Sequence, residues 1–158
     1  MTEEANARIF VMGYGNPGRL DDGLGPAFAE RIQALAIPGV TVDSDYQLSV
    51  EDVATIIKHD IILFADASVD GREPFDLQPL AAQHGGLGFS SHTLSAGALL
   101  GLAKDLFGAS PQAYLLAIRG YDYDEFGERL SEHAQTNLDA TVASLEPLLR
   151  NRFAAAGA

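Results

Sequence analysis

The apolar residues of this chain follow two different spacings that alternate along its length. Nearly continuous apolar runs at residues 7–12, 61–65 and 113–118 are typical of strands buried on both faces of a parallel sheet. A shorter run, which begins at residues 40–42 and ends near residues 43–46, indicates a further strand. Between these runs, apolar side chains recur every three or four residues, which is the spacing of amphipathic helices.

Four segments have this helical spacing. The first spans about residues 24–36, and the second is short, with Ser49 as a candidate N-cap and Asp52 as the carboxylate of a capping box. The third is expected to open within residues 90–95, and the fourth to follow the acidic loop at residues 119–126. Their apolar stripes are Leu24, Phe28, Ile32 and Leu35; Val53, Ile56 and Ile57; Leu99, Leu100, Leu102, Ala103 and Leu106; and Leu130, Leu138, Val142, Leu145 and Leu149.

The order of these elements predicts an α/β fold. Strands and helices alternate from the first strand to the third, so we expect a three-layer α/β/α domain with a twisted, mostly parallel sheet of about five strands. Residues 67–91 are rich in glycine and proline and exceed the usual length of a connection. We expect this segment to form a functional loop with one short extra strand near residues 87–89, and residues 154–158 to fray.

Composition and charge exclude several classes of function. The chain has 158 residues, of which 47% are hydrophobic and 20% charged, and this suits a single globular domain over residues 1–158. It has no cysteine, which excludes disulfides and thiolate chemistry. A net charge of -12 argues against nucleic acid and an anionic membrane as partners. The sequence has neither a membrane-spanning run of roughly 20 apolar residues nor the features of a signal peptide, so we expect a cytoplasmic protein.

The most unusual segment is the glycine-rich turn at residues 13–25, between the first strand and the first helix. Such a turn lies at the carboxyl edge of a parallel sheet, where open α/β proteins place their sites. Its first six residues match the Gly-x-Gly-x-x-Gly fingerprint of dinucleotide binding. The match is formal, because Asp21 and Asp22 stand where the helix would receive a phosphate and would repel it.

Residues 15–18 also resemble the Gly-Asn-Pro-Gly opening of the peptidyl-tRNA hydrolases. That family continues with a Thr-Arg-His-Asn type segment that carries its histidine, whereas this chain continues as Arg-Leu-Asp-Asp-Gly. A protein that handles tRNA also needs a basic face, which a net charge of -12 opposes. Both observations argue against a peptidyl-tRNA hydrolase.

Asp22, Asp66 and His92 are candidate ligands for a metal. They are distant in sequence, but Asp22 follows the first strand, Asp66 ends the third strand and His92 opens the third helix. All three positions are therefore expected at the carboxyl edge of the sheet, where the side chains can converge. Two carboxylates and one imidazole suit a divalent metal with open coordination positions, such as zinc or nickel.

Each of these residues also has a purely structural interpretation. Asp21 or Asp22 could cap the first helix, and Asp66 could make only an Asx turn after its strand. His92 could be structural as well. In the first turn of its helix, however, the positive end of the dipole favours the neutral imidazole that a metal requires.

The motif Gly-x-Gly-Asn, four residues, then Asp-Asp-Gly-x-Gly at residues 13–25 resembles the opening of the nickel-iron hydrogenase maturation endopeptidases. These enzymes cut a C-terminal extension from a hydrogenase large subunit once its nickel is in place. The resemblance covers the whole chain in order, through Phe-Ala-Asp-Ala around Asp66 and Ser-His-Thr-Leu-Ser around His92. It implies a phosphorylase/hydrolase-like fold in which Asp22, Asp66 and His92 are the metal-binding and catalytic residues.

The resemblance also implies a substrate, a metal and a compartment. The partner would be a hydrogenase large-subunit precursor that supplies the nickel, with zinc or another divalent cation as a surrogate. Asn16 and Asp45 are candidates for contact with the substrate or for support of the ligands. The segment Tyr-Gln-Leu after the second strand is more similar to the branch that serves cytoplasmic soluble hydrogenases.

The mechanism and a non-catalytic alternative stay open at this point. A Ser-His-Asp mechanism is not indicated, because no serine sits in a Gly-x-Ser-x-Gly elbow. Either the triad holds a metal that lowers the pKa of a bound water, or it grips the nickel already seated in the substrate, which the family resemblance favours. The choice between an aspartic-type and a metal-dependent peptidase is not settled. The same ligands would also suit a metal-sensing maturation chaperone that recognises the loaded subunit without cutting it.

Overall fold

The computed structural model describes residues 6–84 and 94–154, which form a five-stranded sheet flanked by helices. The strands are β1 (Ile9–Tyr14), β2 (Val40–Asp45), β3 (Ile61–Ser68), β4 (Phe75–Pro79) and β5 (Gln112–Arg119). The α-helices are α1 (Leu24–Leu35), α2 (Val53–Ile56), α3 (Ala96–Phe107) and α4 (Glu132–Arg150). Two 3₁₀ turns, Leu20–Gly23 and Val50–Asp52, precede α1 and α2.

The sheet has the strand order β2-β1-β3-β5-β4. β1, β2, β3 and β5 run parallel, so the loops that follow these strands meet at one edge of the sheet. β4 pairs antiparallel with β5, from Phe75↔Ile118 to Pro79↔Tyr114. The prediction of an α/β fold with a mostly parallel sheet of about five strands is confirmed.

The extra strand of the long segment at residues 67–91 is β4. The strand expected near residues 87–89 falls outside the described residues. β4 gives a weak signal in the sequence, because only Phe75 and Leu77 supply its apolar alternation and they are only partly buried. Its pairing with β5, which is distant in sequence, stabilises it as a strand.

Helices cover both faces of the sheet, as the alternation of strands and helices predicted. α1 and α4 pack on one face around Phe28, Leu138 and Leu145, and α2 and α3 pack on the other around Ile56 and Leu99. These five side chains are at most 2% exposed. Burial of a large apolar side chain contributes roughly 1.5–3 kcal/mol, so the two layers hold the sheet, and with it the loops at its carboxyl edge, in place.

The end of β3 differs from the sequence expectation at a candidate site residue. β3 continues to Ser68, because its last residues stay paired with β5 as far as Ser68↔Arg119. Asp66 therefore lies inside the strand and does not end it. Pairing with β1, however, stops at Gly13↔Ala65, so Asp66 is the first residue of β3 beyond that pairing.

The start of the third helix also differs from the expectation. α3 begins at Ala96 rather than within residues 90–95, because Ser95 is its N-cap and the Ser95 hydroxyl accepts a hydrogen bond from the Ala98 backbone N–H at 3.0 Å. His92 precedes this helix, so the prediction that it lies in the first helical turn is wrong. His92 itself lies outside the described residues.

The last helix, α4, begins at Glu132 with Ser131 as its N-cap. The prediction that Leu130 lies on this helix is therefore wrong. Leu130 still packs against the same core. The capping box predicted for the second helix is supported by the Asp52 carboxylate, which accepts from the Ser49 backbone N–H at 2.8 Å. Neither α4 nor any other helix in the described part of the chain is long and apolar enough to cross a membrane.

Candidate functional site

The glycines of residues 13–25 allow the start of α1 to contact the ends of two strands. A Cβ on Gly25 would lie 2.3 Å from the carbonyl oxygen of Tyr14 and 2.6 Å from that of Ala65. A Cβ on Gly13 would lie 2.2 Å from the carbonyl oxygen of Gly25. No side chain fits at either position, so packing accounts for these glycines without a bound dinucleotide.

Asp22 lies in the 3₁₀ turn between β1 and α1. Its Oδ2 accepts a hydrogen bond from the Asn16 backbone N–H at 2.8 Å. Of the side chains described, none caps this turn or α1, so the alternative interpretation of Asp21 or Asp22 as a cap of the first helix is not supported. The reason is that Asp22 bonds back to the loop after β1, while Asp21 is buried against the loop at residues 121–131.

Asp66 occupies the corresponding position on the neighbouring strand β3. Its Oδ1 accepts a hydrogen bond from the Ala67 backbone N–H at 2.8 Å, and the Tyr14 hydroxyl interacts with the same carboxylate. Burial, with a further contribution from the negative charge of Asp22, raises the pKa of Asp66 to about 6. Asp66 therefore does more than form a local turn, because its carboxylate interacts with two residues on other elements.

The structure brings Asp22 and Asp66 close enough for their charges to interact, as their positions at the carboxyl edge of the sheet predicted. The third expected member, His92, lies outside the described residues. Within residues 6–84 and 94–154, no group of three or more His, Asp or Glu side chains could hold a metal ion. The described residues thus supply two of the three expected ligands, and the complete Asp–Asp–His triad stays a prediction.

Asn16 supports Asp22 through its backbone. Its N–H is the donor to Asp22, and its side-chain oxygen accepts from the Gly18 backbone N–H at 2.9 Å. The side chain closes the loop after β1, which fixes the amide that holds Asp22. Its role is therefore to shape the turn, and contact of this side chain with substrate stays a prediction.

Asp45 lies at the end of β2, at the same edge of the sheet. Its carbonyl oxygen accepts from the Gly15 backbone N–H at 3.1 Å, and its exposed carboxylate accepts from the Tyr46 backbone N–H at 2.7 Å. None of the described hydrogen bonds joins the Asp45 side chain to Asp22 or Asp66. A role for this carboxylate in the site stays a prediction.

Two tyrosines, Tyr14 and Tyr123, lie beside the carboxylate pair and were not expected there. The Tyr123 hydroxyl donates to the Ser68 carbonyl oxygen at 3.1 Å. Burial raises the pKa of Tyr123 to about 12, and the charges of three nearby aspartates, Asp21, Asp22 and Asp66, add to this effect. Burial, followed by the charge and hydrogen bond of Asp66, also raises the pKa of Tyr14. Both hydroxyls are therefore protonated at neutral pH.

The sequence contained a signal for only one of these tyrosines. Tyr14 stands between two glycines at the end of a predicted strand, so its place at the carboxyl edge could have been inferred. Tyr123 reaches the site only because the loop at residues 121–131 folds back over β3, and no local pattern indicates this contact.

A groove with a volume of about 950 Å³ runs beside the turn that carries Asp22. It lies between the turn, α1, the end of β2 and the segment that leads into α4. A groove of this size can hold a short segment of polypeptide. Its lining includes Arg129 and both apolar and acidic side chains, among them Leu20, Pro26, Val42, Glu30, Asp43 and Glu128, but neither Asp22 nor Asp66.

The arrangement can support two kinds of chemistry. The two carboxylates supply hard oxygen donors that suit a divalent cation. Because its pKa is about 6, Asp66 is mostly ionised at neutral pH but takes up a proton readily, as a general base must. The neutral Tyr14 hydroxyl lies beside that carboxylate and favours its ionised form.

No protein-family model matches this sequence, and no curated protein is similar to it at a significant level. Solved structures are similar in fold. A [NiFe] hydrogenase maturation protease, HycI from Thermococcus kodakarensis KOD1, has a TM-score of 0.69 and 23% identity over 91% of this chain and 93% of that chain. Hydrogenase 2 maturation peptidase from Thaumarchaeota archaeon SCGC_AB-539-E09 has a TM-score of 0.65 and 23% identity over 90% of this chain and 99% of that chain.

The hydrogenase maturating endopeptidase HybD from E. coli is also similar, with a TM-score of 0.64 and 19% identity over 90% of this chain and 92% of that chain. The three structures carry names that agree with the family resemblance of residues 13–25, and each covers nearly the whole chain. The TM-scores establish a common architecture, and identities this low show the fold alone. We conclude that this chain has the fold of the [NiFe] hydrogenase maturation proteases.

Proposed function

We propose that this protein is an endopeptidase that removes the C-terminal extension of a [NiFe] hydrogenase large-subunit precursor after nickel has been inserted. The observation that carries the proposal is the pair formed by Asp22 and Asp66. These carboxylates interact at the carboxyl edge of a sheet whose fold is that of the maturation proteases. The packing of the glycine-rich turn and of β3 does not itself require two carboxylates at these positions.

The nickel ion in this reaction belongs to the substrate. Asp22 and Asp66 offer two oxygen donors and His92 would add one nitrogen donor, a set that suits nickel or, as a surrogate, zinc. The ion would supply Lewis acidity next to the peptide bond. Cleavage would then wait for nickel insertion, because a large subunit without metal offers the triad nothing to bind.

Asp66 can transfer protons only where it does not coordinate the nickel, which is the aspartic-type alternative. There its carboxylate would take a proton from the attacking water and return it to the leaving amine, because its pKa of about 6 in the metal-free protein is close to the working pH. The neighbouring Tyr14 hydroxyl favours the ionised carboxylate. An aspartic-type reaction would use the same two acids with one proton shared between them, and removal of metal from the substrate distinguishes the two mechanisms.

The proposed substrate is a folded protein with a peptide tail, and the groove beside the turn offers a place for that tail. Glu30 and Asp43 line the groove and favour a tail that carries basic residues. The net charge of -12 is compatible with a protein partner and disfavours nucleic acid. We place the reaction in the cytoplasm, together with the branch that serves soluble hydrogenases.

Intact-mass spectrometry of a nickel-loaded large-subunit precursor, before and after incubation with this protein, tests the proposal. We expect a loss of mass equal to one C-terminal peptide. Asp66→Asn should abolish this loss. Asp139→Asn is the matched control, because Asp139 is an exposed carboxylate that pairs with Arg31 at 2.7 Å and lies on α4, outside the site. A stable complex whose large subunit keeps its mass would favour the metal-sensing chaperone instead.

A further inference from the structure

Asp21, the neighbour of Asp22, is a fully buried carboxylate with a complete set of donors. Its side chain is 0% exposed. Oδ2 accepts from the backbone N–H groups of Tyr121 at 2.8 Å and Asp122 at 2.9 Å and from the Ser131 hydroxyl at 2.7 Å, and Oδ1 accepts from the Ser131 backbone N–H at 2.7 Å. A buried charge with this many hydrogen bonds links the elements that supply them.

The backbone repeats the same link. The Asp21 N–H donates to the Asp122 carbonyl oxygen at 2.9 Å, and the Leu20 N–H donates to that of Gly127 at 3.0 Å. The Gly127 N–H in turn donates to the Gly18 carbonyl oxygen at 2.8 Å. The first half of the turn that carries Asp22 is therefore joined to the loop at residues 121–131 through Gly18, Leu20 and Asp21, and that loop also carries Tyr123.

The turn is strained where it meets Asp21. Leu20 has a φ of 50°, in the left-handed region that a branched side chain avoids. Such a conformation persists only when the surrounding contacts over-determine it. The hydrogen bonds of Asp21 supply those contacts, and on the other side of the turn Asp22 is bonded to the Asn16 N–H at 2.8 Å.

We infer that Asp21 is a positioning residue: its buried carboxylate clamps the strained turn to the loop at residues 121–131 and thereby holds Asp22 against the Asn16 amide, facing Asp66. The consequence for metal binding and cleavage rests on the proposed function. The clamp itself is a property of the turn and can be tested without any reaction. The adjacent residues Asp21 and Asp22 thus have different roles: Asp22 is a candidate site residue, and Asp21 positions it.

Asp21 can accept all four hydrogen bonds only as an ionised carboxylate. Burial alone would raise the pKa of Asp21, but the donors from the loop and Ser131 together hold the pKa below its ordinary value. All four partners are hydrogen-bond donors, so an asparagine at this position must turn its own N–H₂ toward at least one N–H or O–H group. Asp21→Asn therefore breaks the clamp at almost constant volume.

The deciding experiment is NMR of the isotope-labelled, metal-free protein, with the Asn16 amide as the reporter. In the wild type this N–H donates to the Asp22 carboxylate, so its proton resonance should lie downfield. In Asp21→Asn the turn is released, and we expect the Asn16 resonance to move upfield toward the position it takes in Asp22→Asn. Leu145→Ala is the control for general destabilisation, because Leu145 is a buried α4 residue away from the turn, and it should leave the Asn16 resonance in place.

A second readout is calorimetry with Zn²⁺ alone. We expect Asp21→Asn to bind Zn²⁺ about 10-fold to 100-fold more weakly than Leu145→Ala, as is usual when the support of a ligand is removed.

An unchanged Asn16 resonance in folded Asp21→Asn overturns the inference. If Asp21→Asn does not fold, Ser131→Ala is the variant to measure, because it removes one of the four hydrogen bonds to the Asp21 carboxylate. We expect a smaller upfield shift of the Asn16 resonance in Ser131→Ala. An unchanged Asn16 resonance in this variant overturns the inference. If the wild type neither binds Zn²⁺ nor cleaves, the proposed function fails, while the Asn16 resonance still tests the clamp.

Discussion

Asp22 and Asp66 interact across two adjacent parallel strands, and the charge of Asp22 adds to burial in raising the pKa of Asp66 to about 6. Asp66 is the first residue of β3 beyond its pairing with β1, and Asp22 lies in the turn that follows β1. Two acids held in this way repel each other when both are ionised. The repulsion lowers the stability of the folded protein and is relieved when a cation or a proton binds between them.

The contribution of Asp66 to the stability of the metal-free protein should fall as the pH rises from about 4 to 7. The pKa of Asp66 is raised from its ordinary value of 3.8 to about 6, so the folded state binds more protons than the unfolded state between these values. The stabilisation from proton uptake is full below the unfolded pKa and is lost as the pH rises through the folded pKa. Asp66→Asn should therefore raise Tm at pH 7 and leave it nearly unchanged at pH 4, as measured by thermal unfolding with a chelator present.

The control for this pH series is Asp139→Asn. Hydrogen bonds from Arg31 and Gln135 hold the pKa of Asp139 below its ordinary value, so this exposed group has the opposite sign and its small stabilisation is lost as the pH falls. The interpretation of Asp66 is contradicted if Asp66→Asn and Asp139→Asn change Tm in the same direction at pH 7.

Removal of any one member of the predicted triad should abolish metal binding. His92→Ala, Asp22→Asn and Asp66→Asn should each lose binding of nickel or zinc, because a three-ligand site that loses one donor holds a borderline metal much more weakly. Calorimetry measures the affinity, and folding is checked by thermal unfolding. His133→Ala is the matched histidine control, because His133 is exposed on α4. Full processing of the precursor by folded His92→Ala would refute the triad.

Processing should depend on the metal content of the substrate. If the nickel in the large subunit is the signal, the loaded precursor should be cut and the metal-free precursor left intact, since only the loaded form offers the triad differential affinity. The measurement is the rate of mass loss for the two forms at equal concentration. Equal rates would show that this protein does not distinguish the nickel-loaded precursor from the metal-free one.

Gly25→Ala should destabilise the protein strongly. The new methyl group would lie 2.3 Å from the Tyr14 carbonyl oxygen and 2.6 Å from that of Ala65, and neither backbone atom can move without disturbing the sheet. We expect a loss of at least about 3 kcal/mol in the free energy of unfolding, measured by urea denaturation. In the control, Gly18→Ala, the nearest atom is the side-chain oxygen of Asn16 at 3.2 Å, so the cost should be much smaller.

Ala36→Gly should stabilise the protein. Ala36 is the exposed C-cap of α1, with φ and ψ both 49°, and glycine adopts this left-handed conformation without strain. The expected gain is about 0.5–1 kcal/mol in the free energy of unfolding, after subtraction of the greater entropy that glycine loses on folding. The same substitution at Ala143, an exposed position inside α4, should instead cost about 1 kcal/mol. A loss of stability at both positions would contradict the argument.

The sequence by itself determined the architecture and the two acids of the candidate site. Apolar runs and helical stripes are local patterns, and they specify strands and helices because each face of an element must be buried or exposed as a whole. The meeting of Asp22 and Asp66 followed from a rule of the same kind, since the carboxyl ends of neighbouring parallel strands lie at one edge of the sheet. His92, which the same reasoning added, stays a prediction.

Only the tertiary structure decided what the two adjacent aspartates do. Asp21 and Asp22 have almost the same local sequence context, and either could have capped the first helix. Their difference arises because the loop at residues 121–131 folds onto one side of the turn and supplies four donors to Asp21, which leaves Asp22 on the other side, bonded to Asn16 and close to Asp66. The same long-range folding brings Tyr123 to the site and pairs β4 with β5. Contacts between segments this distant depend on the packing of the whole domain, and no local spacing encodes them.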